Sequence, residues 1–476
     1  RECGIATFTN DLIMAMDRKF NPVLKSEVLA MNDTGNNFYN YNEKVSLQID
    51  ESNIKDYLGA ANEINSREDI KIVNIQHEFG IFGGNYGEYL LPFLNAIKKP
   101  VVITLHTVIP NPDEARREIM RSIINKASAV VVMAGSAKKI LNEDYDIHGS
   151  NKMFHIHHGV PQVPFSSKNA KKKINLENKI ILSTFGLLSR GKGIEYVIKA
   201  LPALVKKFPK LIYLVIGETH PQVRKREGES YRNMLAKIVD DLGLKNNVRF
   251  YNKYMTLKEI TAYLSATDIY ISSALDENQI VSGTLSYALG CGKAVIATPT
   301  AYAKEVLSKN RGILVDFRDP ESIGTAINEL LTNTNLKKNL EKNAYQLGRK
   351  MIWPNVAAEY LRVFNKVIRL REDIIRKFPA IKLNHLVSMT DNVGIIHHAK
   401  HSIPNRKTGY TLDDNARALT AATKHYSIFK SQQSLKLINT YLSFIHYAQI
   451  EDGKFHNFFD YEKKPLEEEG SEDSFG

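Results

Sequence analysis

Residues 276–299 read DENQIVSGTLSYALGCGKAVIATP, and this stretch decides the predicted fold. It follows an apolar run at 268–273 (DIYISS), passes through small polar residues at 282–284 and enters a helical pattern at 285–289. A second apolar run follows at 294–298. A strand, a small-residue loop, a helix and a strand in this order predict one unit of a parallel sheet.

The loop Ser282-Gly283-Thr284 predicts a place for an anionic ligand. A helix that begins there presents backbone N–H groups without partners and the positive end of its dipole, which suits a phosphate. Gly283 would let a ligand approach the backbone closely. An ordinary capped helix in a Rossmann-type sheet fits the stretch equally well, so both interpretations stay open at this point.

Size and composition limit the classes of protein to consider. A chain of 476 residues with 43% hydrophobic residues predicts two or three soluble globular domains. The net charge of +12 suits an anionic ligand, an acidic membrane surface or nucleic acid. The basic residues are spread along the chain, and we interpret the compact run 171–173 as a solvated linker.

The two cysteines, Cys3 and Cys291, show neither a CxxC nor a Cys/His spacing, which indicates no disulfide framework and no zinc site. This favours a reducing, cytoplasmic location. No apolar run has membrane-spanning length, and no signal peptide is recognisable. Both ends, Arg1 and Gly476, look cut, so targeting information could have been lost.

The first 160 residues alternate strand-like and helix-like runs, which predicts a parallel sheet flanked by helices. Gly4 enters a helical pattern, and such a turn can hold a phosphate or a sugar, although a plain N-terminal turn fits too. The predicted strands are 26–30, 70–75, 101–104, 129–132 and 154–156.

Two of these strands run into polar residues at their carboxyl ends, where ligands of parallel sheets bind. One strand continues into His77 and Glu78, and the next into His106. A histidine there can donate to a sugar hydroxyl or move a proton, although a structural role is equally compatible. Gly83 lies in the glycine-rich loop 80–84, which we expect to be mobile and to shape a substrate mouth.

A polar connector, 161–178, is a predicted hinge to a second α/β domain. Its first strand, 180–185, ends at Gly186 and leads into a glycine-rich turn that carries Arg190 and Lys192. Two cations in such a turn predict a clamp for a diphosphate leaving group, and a solvated basic turn is the alternative. Further predicted elements are strands 212–216 and 248–251 and helices 231–242 and 257–266.

The order of these motifs resembles the donor half of a family 4 retaining glycosyltransferase with the GT-B fold. The donor-half motifs are Gly186 to Gly193, Ile216-Gly217, 268–272, 288–298, Glu305 and 311–315. The residues that match the acceptor half are Gly4, 76–78, His106 and 158–160. The resemblance covers about residues 1–370.

The resemblance implies an α/β fold in which two Rossmann-like domains face each other across a cleft. These would be an acceptor domain, 1–160, and a donor domain, 175–345, followed by a helix at 346–372 that crosses back to the first domain. The implied reaction moves a hexose from a UDP- or GDP-sugar to a carbohydrate or related hydroxyl, with retention and without a cofactor or an essential metal. We expect a cytoplasmic protein without a nucleic-acid partner, with peripheral membrane association and any oligomeric state left open.

The resemblance also assigns roles to single residues. His106 would contact the transferred sugar, Arg190 and Lys192 would neutralise the leaving diphosphate, and Glu305 would lie near the donor. The donor and phosphate set comprises Gly4, Gly186, Gln279, Ser282, Gly283 and Thr284. The acceptor-side candidates are His77, Glu78 and Gly83, and no metal ligand is expected.

Three positions depart from the family pattern. Gln279 and Tyr287 stand where the family usually has two glutamates, the second of which normally holds the ribose hydroxyls. Leu187 stands where many members carry an arginine. The pattern therefore indicates a divergent subgroup, and the alternatives are an inactive nucleotide-sugar or glycan-binding module and a glycan phosphorylase.

Strand alternation stops in residues 378–476, where 414–426 and 435–448 show helical spacing. Paired helices are similar to the helical toroid domains of carbohydrate-active proteins, and this one would be incomplete. We expect Asp414 to cap its helix with Arg417 as partner one turn on. The alternative is a carbohydrate site, with candidate carboxylates Asp413, Asp452, Glu472 and Asp473.

Overall fold

The fold is described from a computed structural model, which covers residues 4–21, 24–33, 39–148, 151–165, 169–370 and 381–467. The chain divides into two compact units, Arg1–Ile374 and Ile375–Gly476, and each is described by itself. In the covered part, no helix is both long and apolar enough to cross a bilayer.

The first unit begins with a lobe of parallel strands flanked by helices, here called the first lobe. A pair β1–β2 stands apart from a four-stranded sheet in the order β3-β4-β5-β6, and every pairing is parallel. Its elements are α1 (Gly4–Phe20), β1 (Val28–Asn32), β2 (Val45–Asp50), α2 (Ile54–Ser66), β3 (Val73–His77), α3 (Leu90–Ala96), β4 (Val101–Leu105), α4 (Glu114–Lys126), β5 (Ala129–Val132), α5 (Gly135–Glu143) and β6 (Met153–His155).

The strands β4 and β5 of the first lobe form where the sequence is almost entirely apolar. Every residue of β4 and β5 is buried, as expected for strands covered by helices on both faces. The strand β2 is absent from the predicted strands because its sequence, VSLQID, mixes polar with apolar residues. Its partner β1 begins two residues later than predicted.

The second lobe contains a six-stranded parallel sheet in the order β12-β11-β10-β7-β8-β9. The order reverses between β7 and β10, and ligands of such sheets bind at this switch point, outside the carboxyl ends of the strands. The elements are β7 (Ile180–Phe185), α6 (Ile194–Lys207), β8 (Leu211–Ile216), α7 (Pro221–Glu227), α8 (Ser230–Asp241), β9 (Val248–Tyr251), α9 (Leu257–Ala266), β10 (Ile269–Ser272), α10 (Gly283–Gly290), β11 (Ala294–Ala297), α11 (Ala301–Val306), β12 (Ile313–Leu314), α12 (Pro320–Thr332) and α13 (Thr334–Met351).

The predicted α/β fold, with parallel sheets flanked by helices, is confirmed by these two lobes. The helix α10 is held deep in the second lobe, with residues 285–290 buried. Its end meets α13 so closely that a Cβ built on Gly348 would lie 2.7 Å from Gly290 Cα. This contact fixes the direction in which the helix N-terminus points.

The connector between the lobes is more ordered than its composition predicts. Ala170 and Leu176 are buried in the core of the second lobe. Lys171 pairs with Asp268 at 2.6 Å, just before β10. The interpretation of 171–173 as a solvated run is therefore wrong for Lys171, because a carboxylate at the start of a neighbouring strand holds its ammonium.

The helix α14 (Trp353–Ile368) returns to the first lobe and packs on α1. Tyr360 and Thr104 of β4 join their hydroxyls at 2.9 Å in a buried contact. Where the chain crosses back, the amide of Val160 donates to Met351 O at 2.8 Å, and the amide of Trp353 donates to Val160 O at 3.1 Å. The two crossings between the lobes thus run side by side.

The second unit is built on two consecutive helices, α16 (Leu412–Phe429) and α17 (Gln432–Ala448), which pack through Ala418, Ala422 and Tyr441. This confirms a helical C-terminal region. Around them lie α15 (Asn384–Met389) and the short antiparallel pairs β13 (Ala399–Lys400) with β14 (Ile403–Pro404) and β15 (Tyr410–Thr411) with β16 (Phe458–Phe459).

The predicted cap of α16 is wrong. Thr411 caps the helix by accepting from the amide of Asp414, because α16 begins two residues earlier than the spacing predicts. Arg417 pairs with Asp413 at 2.6 Å, and Asp414 Oδ2 lies 2.7 Å from Nδ1 of His397. Among the other candidate carboxylates, the side chain of Asp452 and residues Glu472 and Asp473 lie outside the described residues.

Candidate functional site

Three of the predicted site residues meet at the switch point of the second lobe. Gly186 follows β7 directly and has a φ of 130°. A Cβ built on it would lie 3.1 Å from Thr284 Cγ2 and 4.0 Å from Lys192 Nζ. We call the space bounded by Gly186, Lys192 and residues 282–284 the switch-point crevice.

The turn that carries Lys192 is fixed to the chain that follows β10. Gly193 adopts a φ of 59°, and a Cβ on it would lie 2.4 Å from Ser273 O. The hydroxyl of Ser273 donates to Lys192 O at 2.8 Å, and the amide of Leu275 donates to Gly191 O at 2.9 Å. Because these bonds tie the loops after β7 and β10 together, Lys192 is held at the carboxyl edge of both strands.

Lys192 is a half-buried cation without a counter-charge. No hydrogen bond or ion pair joins its Nζ to any other residue that the structure describes. Burial lowers the pKa of its ammonium, and the nearby ammonium in turn helps burial to lower the pKa of His220. An anion in the crevice would therefore restore favourable surroundings for the charged form of Lys192.

The N-terminus of α10 forms the opposite wall. The Ser282 hydroxyl accepts from the amide of Leu285 at 3.3 Å, and this bond sets the start of the helix. The first-turn amides of Gly283 and Thr284 point out of the helix by its geometry. An ammonium and a helix N-terminus thus face the same space, and both favour an oxygen-rich anion.

A neutral histidine of the first lobe, His158, lies next to this helix end, and His106 lies near His158. Nδ1 of His158 donates to Gly159 O at 2.8 Å, and Nε2 would lie 3.0 Å from a Cβ on Gly283. Nε2 of His106 lies 2.9 Å from Gln76 Oε1. Burial lowers the pKa of His158 to about 4 and that of His106 to about 3, the latter helped by His158.

Arg190 does not reach the switch-point crevice, contrary to its predicted place in a two-cation clamp. Its side chain is 57% exposed, its Nε lies 3.5 Å from Glu227 and its guanidinium lies over the ring of Tyr231. Residues 190–192 form one 3₁₀ turn, in which side chains two positions apart point in different directions. The turn therefore directs Lys192 inward and Arg190 toward α7 and α8.

Glu305, predicted to lie near the donor, contacts the first lobe. Its two carboxylate oxygens accept from the amides of Gly135 at 2.8 Å and Ser136 at 3.0 Å. The second lobe thereby caps the N-terminus of α5 in the first lobe. Both oxygens are thus bonded to amides, and the contact of Glu305 with a donor sugar stays a prediction.

The acceptor-side candidates lie in packed surroundings rather than around an open entrance to a substrate site. His77 is fully buried beside Phe79 and Phe82, and in the described part of the chain neither ring nitrogen finds a partner. Burial lowers its pKa to about 4. Glu78 accepts from the hydroxyl of Thr107, and burial raises the pKa of its carboxyl.

The loop that contains Gly83 is held in place, contrary to the mobility that its glycines suggest. A Cβ on Gly83 would lie 2.0 Å from Glu51 O, and its amide donates to the Tyr57 hydroxyl at 3.0 Å. Gly83 is therefore required for close packing. Of the two remaining candidates, Gly4 is the exposed first helical residue of α1, and Gln279 accepts through its backbone from the amide of Tyr302 at 2.9 Å.

Local sequence patterns do not reveal the polar face that α1 turns toward the second lobe. The hydroxyl of Tyr287 donates to Asp11 Oδ2 at 3.0 Å, and the hydroxyls of Thr7 and Tyr254 lie 2.9 Å apart. Thr7 and Asp11 are four positions apart, so helical spacing places them on one face. Phe8 on the same helix packs its ring edge-on against His106 and His158.

Metal ligands are a separate question. In the ranges that the structure covers, no three His, Cys, Asp or Glu side chains come together as a possible metal site. The expectation that no metal is needed stays a prediction.

Comparison with known proteins bears on this arrangement. Residues 166–347 match the family described as "Glycosyl transferases group 1". An uncharacterized glycosyltransferase of Methanocaldococcus jannaschii is 28% identical over 257 residues, which is 53% of this chain and 62% of the relative. The chain thus spans less than two thirds of the length of that relative.

Solved structures agree in architecture. Sucrose-phosphate synthase from Thermosynechococcus elongatus superposes with a TM-score of 0.62 at 15% identity. The superposition covers 77% of this chain and 94% of the synthase chain. Anabaena Alr3699/HepE, in complex with UDP and glucose, gives a TM-score of 0.57 at 14% identity, with 77% and 97% covered. The fold is of the GT-B type. At these identities the likeness concerns the fold alone.

Proposed function

We propose that the chain is a retaining hexosyltransferase of family 4 that takes its sugar from a nucleoside-diphosphate donor. The observation that carries the proposal is Lys192, which lacks a counter-charge among the described residues and faces the N-terminus of α10 across the switch-point crevice. A diphosphate supplies the negative charge that both walls of the crevice favour.

In the proposed reaction, the bond between the anomeric carbon and the diphosphate oxygen breaks, and the oxygen gains negative charge. Lys192 and the amides of Gly283 and Thr284 stabilise this charge more strongly in the transition state than in the bound donor. The acceptor hydroxyl attacks from the same face, and its proton passes to the departing diphosphate. His106, neutral at pH 7, would contact the transferred sugar through a ring nitrogen.

The contacts between the lobes support the exclusion of water from this reaction. Ile280, on the loop before α10, is 3% exposed and lies in the core of the first lobe, while Glu305 caps α5. With the lobes in this arrangement, the crevice lies between two packed surfaces, which limits hydrolysis of the donor.

The donor and acceptor classes belong to the same proposal. The complex of Anabaena Alr3699/HepE with UDP and glucose supports a UDP-hexose, and a GDP-hexose remains an equal choice. We propose a carbohydrate or related hydroxyl as acceptor, no cofactor and no essential metal, and a cytoplasmic location. We propose that the chain is divided into an acceptor domain, a donor domain, a helix that crosses back and a helical domain, at residues 1–160, 175–345, 346–372 and 378–476.

A panel of UDP-, GDP- and ADP-hexoses in a thermal-shift assay tests the donor, because a ligand that binds the folded chain raises Tm by mass action. Transfer of label from the stabilising donor to sugar acceptors then tests the activity. Stabilisation by none of these donors would overturn the proposal.

A binding module without transfer activity is the second candidate. It is favoured by Tyr287, which stands where the resemblance expects a glutamate, and by Arg190, which lies outside the crevice. Stabilisation by a sugar nucleotide without transfer or hydrolysis over long incubation would support this candidate. Phosphate-dependent cleavage of an oligosaccharide would instead indicate a glycan phosphorylase.

A further inference from the structure

The contact between Asp11 and Tyr287 joins the two lobes beside the switch-point crevice. Tyr287 follows Gly283 by four residues and therefore lies on the same face of α10, one turn further along. Its side chain leans toward the helix N-terminus, as helical side chains do. The ring is 7% exposed and lies 6.1 Å from the ring of His158 and 6.2 Å from that of Phe185, centroid to centroid.

Asp11 is a half-buried carboxylate that no cation balances within the described ranges. Its hydrogen-bond partners are the hydroxyl of Tyr287 and the side chain of Asn10. Burial raises the pKa of the Asp11 carboxyl, and the bond from Tyr287 opposes this shift. A carboxylate offers about four lone-pair positions, so Asp11 retains capacity to accept further hydrogen bonds.

The charges around the crevice restrict which ligand groups can donate hydrogen bonds to Asp11. A diphosphate is attracted to Lys192 and α10 and repelled by the carboxylate of Asp11. Neutral hydroxyl groups attached to the diphosphate are attracted to it, since a carboxylate can accept from two vicinal hydroxyls at once. One turn of helix, about 5.4 Å, separates Gly283 from Tyr287, so a sugar ring next to the phosphates would lie beside the Tyr287 hydroxyl and Asp11.

We propose that Asp11 is a specificity-determining residue that accepts hydrogen bonds from the vicinal hydroxyls of a sugar ring attached to the diphosphate, and that Tyr287 holds its carboxylate in place. This inference rests on the proposed function. The ring is either the ribose of the nucleoside or the transferred hexose. Both offer vicinal hydroxyls, and the experiment below separates them.

The test compares wild type with Asp11→Asn by calorimetric titration. The ligands are UDP and GDP, their 2′-deoxy and 3′-deoxy forms, and the matching UDP- and GDP-hexoses. The substitution keeps the shape of the side chain but removes the charge and one acceptor. The exposed Asp241, at the end of α8, provides the matched control as Asp241→Asn.

If Asp11 binds ribose, wild type should prefer the ribonucleotide over a deoxy form. Asp11→Asn should then bind the ribonucleotide about tenfold to a hundredfold more weakly and lose that preference. If Asp11 binds the hexose, nucleotide affinity should stay unchanged, while the extra affinity for the sugar nucleotide falls by a similar factor. Asp241→Asn should match wild type in each titration.

Equal weakening for every ligand, with the deoxy preference kept, would overturn the inference and leave Asp11 as a contact between lobes. Unchanged affinities in Asp11→Asn would overturn it too. If Asp11→Asn does not fold, Tyr287→Phe, which frees the carboxylate, should show the same loss of preference in weaker form. Failure of wild type to bind any of these ligands would instead overturn the proposed function.

Discussion

Replacement of Lys192 by alanine removes the ammonium from the switch-point crevice and leaves the turn intact, because the backbone of residues 191–193 is held by Ser273 and Leu275. An ammonium about 4 Å from a phosphate oxygen is worth about 4 kcal/mol at an effective dielectric constant of about 20. The departing diphosphate gains about one charge between the bound state and the product. If about half to all of that attraction develops in the transition state, the barrier rises by about 2–4 kcal/mol, which lowers kcat about 30-fold to 900-fold.

The assay measures kcat and both KM values with the donor that the thermal-shift panel identifies. Turnover should fall as stated, while the acceptor KM changes by less than about threefold, since the acceptor does not contact Lys192 in the proposed reaction. Lys199→Ala, an exposed lysine of α6, is the matched control and should leave kcat unchanged. A Lys192→Ala variant that turns over as fast as wild type would refute the electrostatic reasoning, whichever donor is used.

Three further changes test the surrounding structure. In the folded chain the pKa values of His106 and His158 are about 3 and about 4, below the value of about 6.5 expected in the unfolded chain. At pH values between these limits, the unfolded chain therefore binds more protons than the folded chain. The free energy of unfolding should therefore fall as pH drops through this window, and His106→Gln should flatten the slope in denaturant titrations. Tyr360→Phe leaves the buried hydroxyl of Thr104 without its partner and should lower the free energy of unfolding by about 1–3 kcal/mol, with Thr104→Val added to the variant recovering part of the loss. Glu305→Gln should weaken the cap of α5 by about 0.3–1 kcal/mol in urea titrations and leave kcat unchanged, whereas a large loss of kcat would assign Glu305 to the donor.

The parts of the molecule that sequence predicts well are those that local patterns determine. The strands β7 and β10 are mostly apolar runs, and the meeting of Gly186 with Thr284 follows once both strands lie in one parallel sheet. The direction of Arg190 depends on a single 3₁₀ turn, which composition does not reveal.

Local sequence patterns do not predict the contacts between the lobes. Glu305 and Gly135 lie 170 positions apart, and Asp11 and Tyr287 lie 276 apart. A carboxylate on an amphipathic helix has the same local signature whether it faces solvent or another lobe. Only the folded arrangement distinguishes these cases, and for that reason the polar face of α1 escapes sequence reasoning.

The two crossings of the chain between the lobes determine how the lobes can move. Because residue 160 and residues 351–353 exchange hydrogen bonds, both connections leave the first lobe along one line instead of at opposite corners. A Cβ on Gly159 would lie 2.3 Å from the ring of Trp353, so this line is also tightly packed. Rotation of the lobes about this line keeps these bonds, whereas sliding the lobes or pulling them apart breaks them. A donor would therefore enter after the lobes rotate apart about this line, and the opening would be widest far from Trp353.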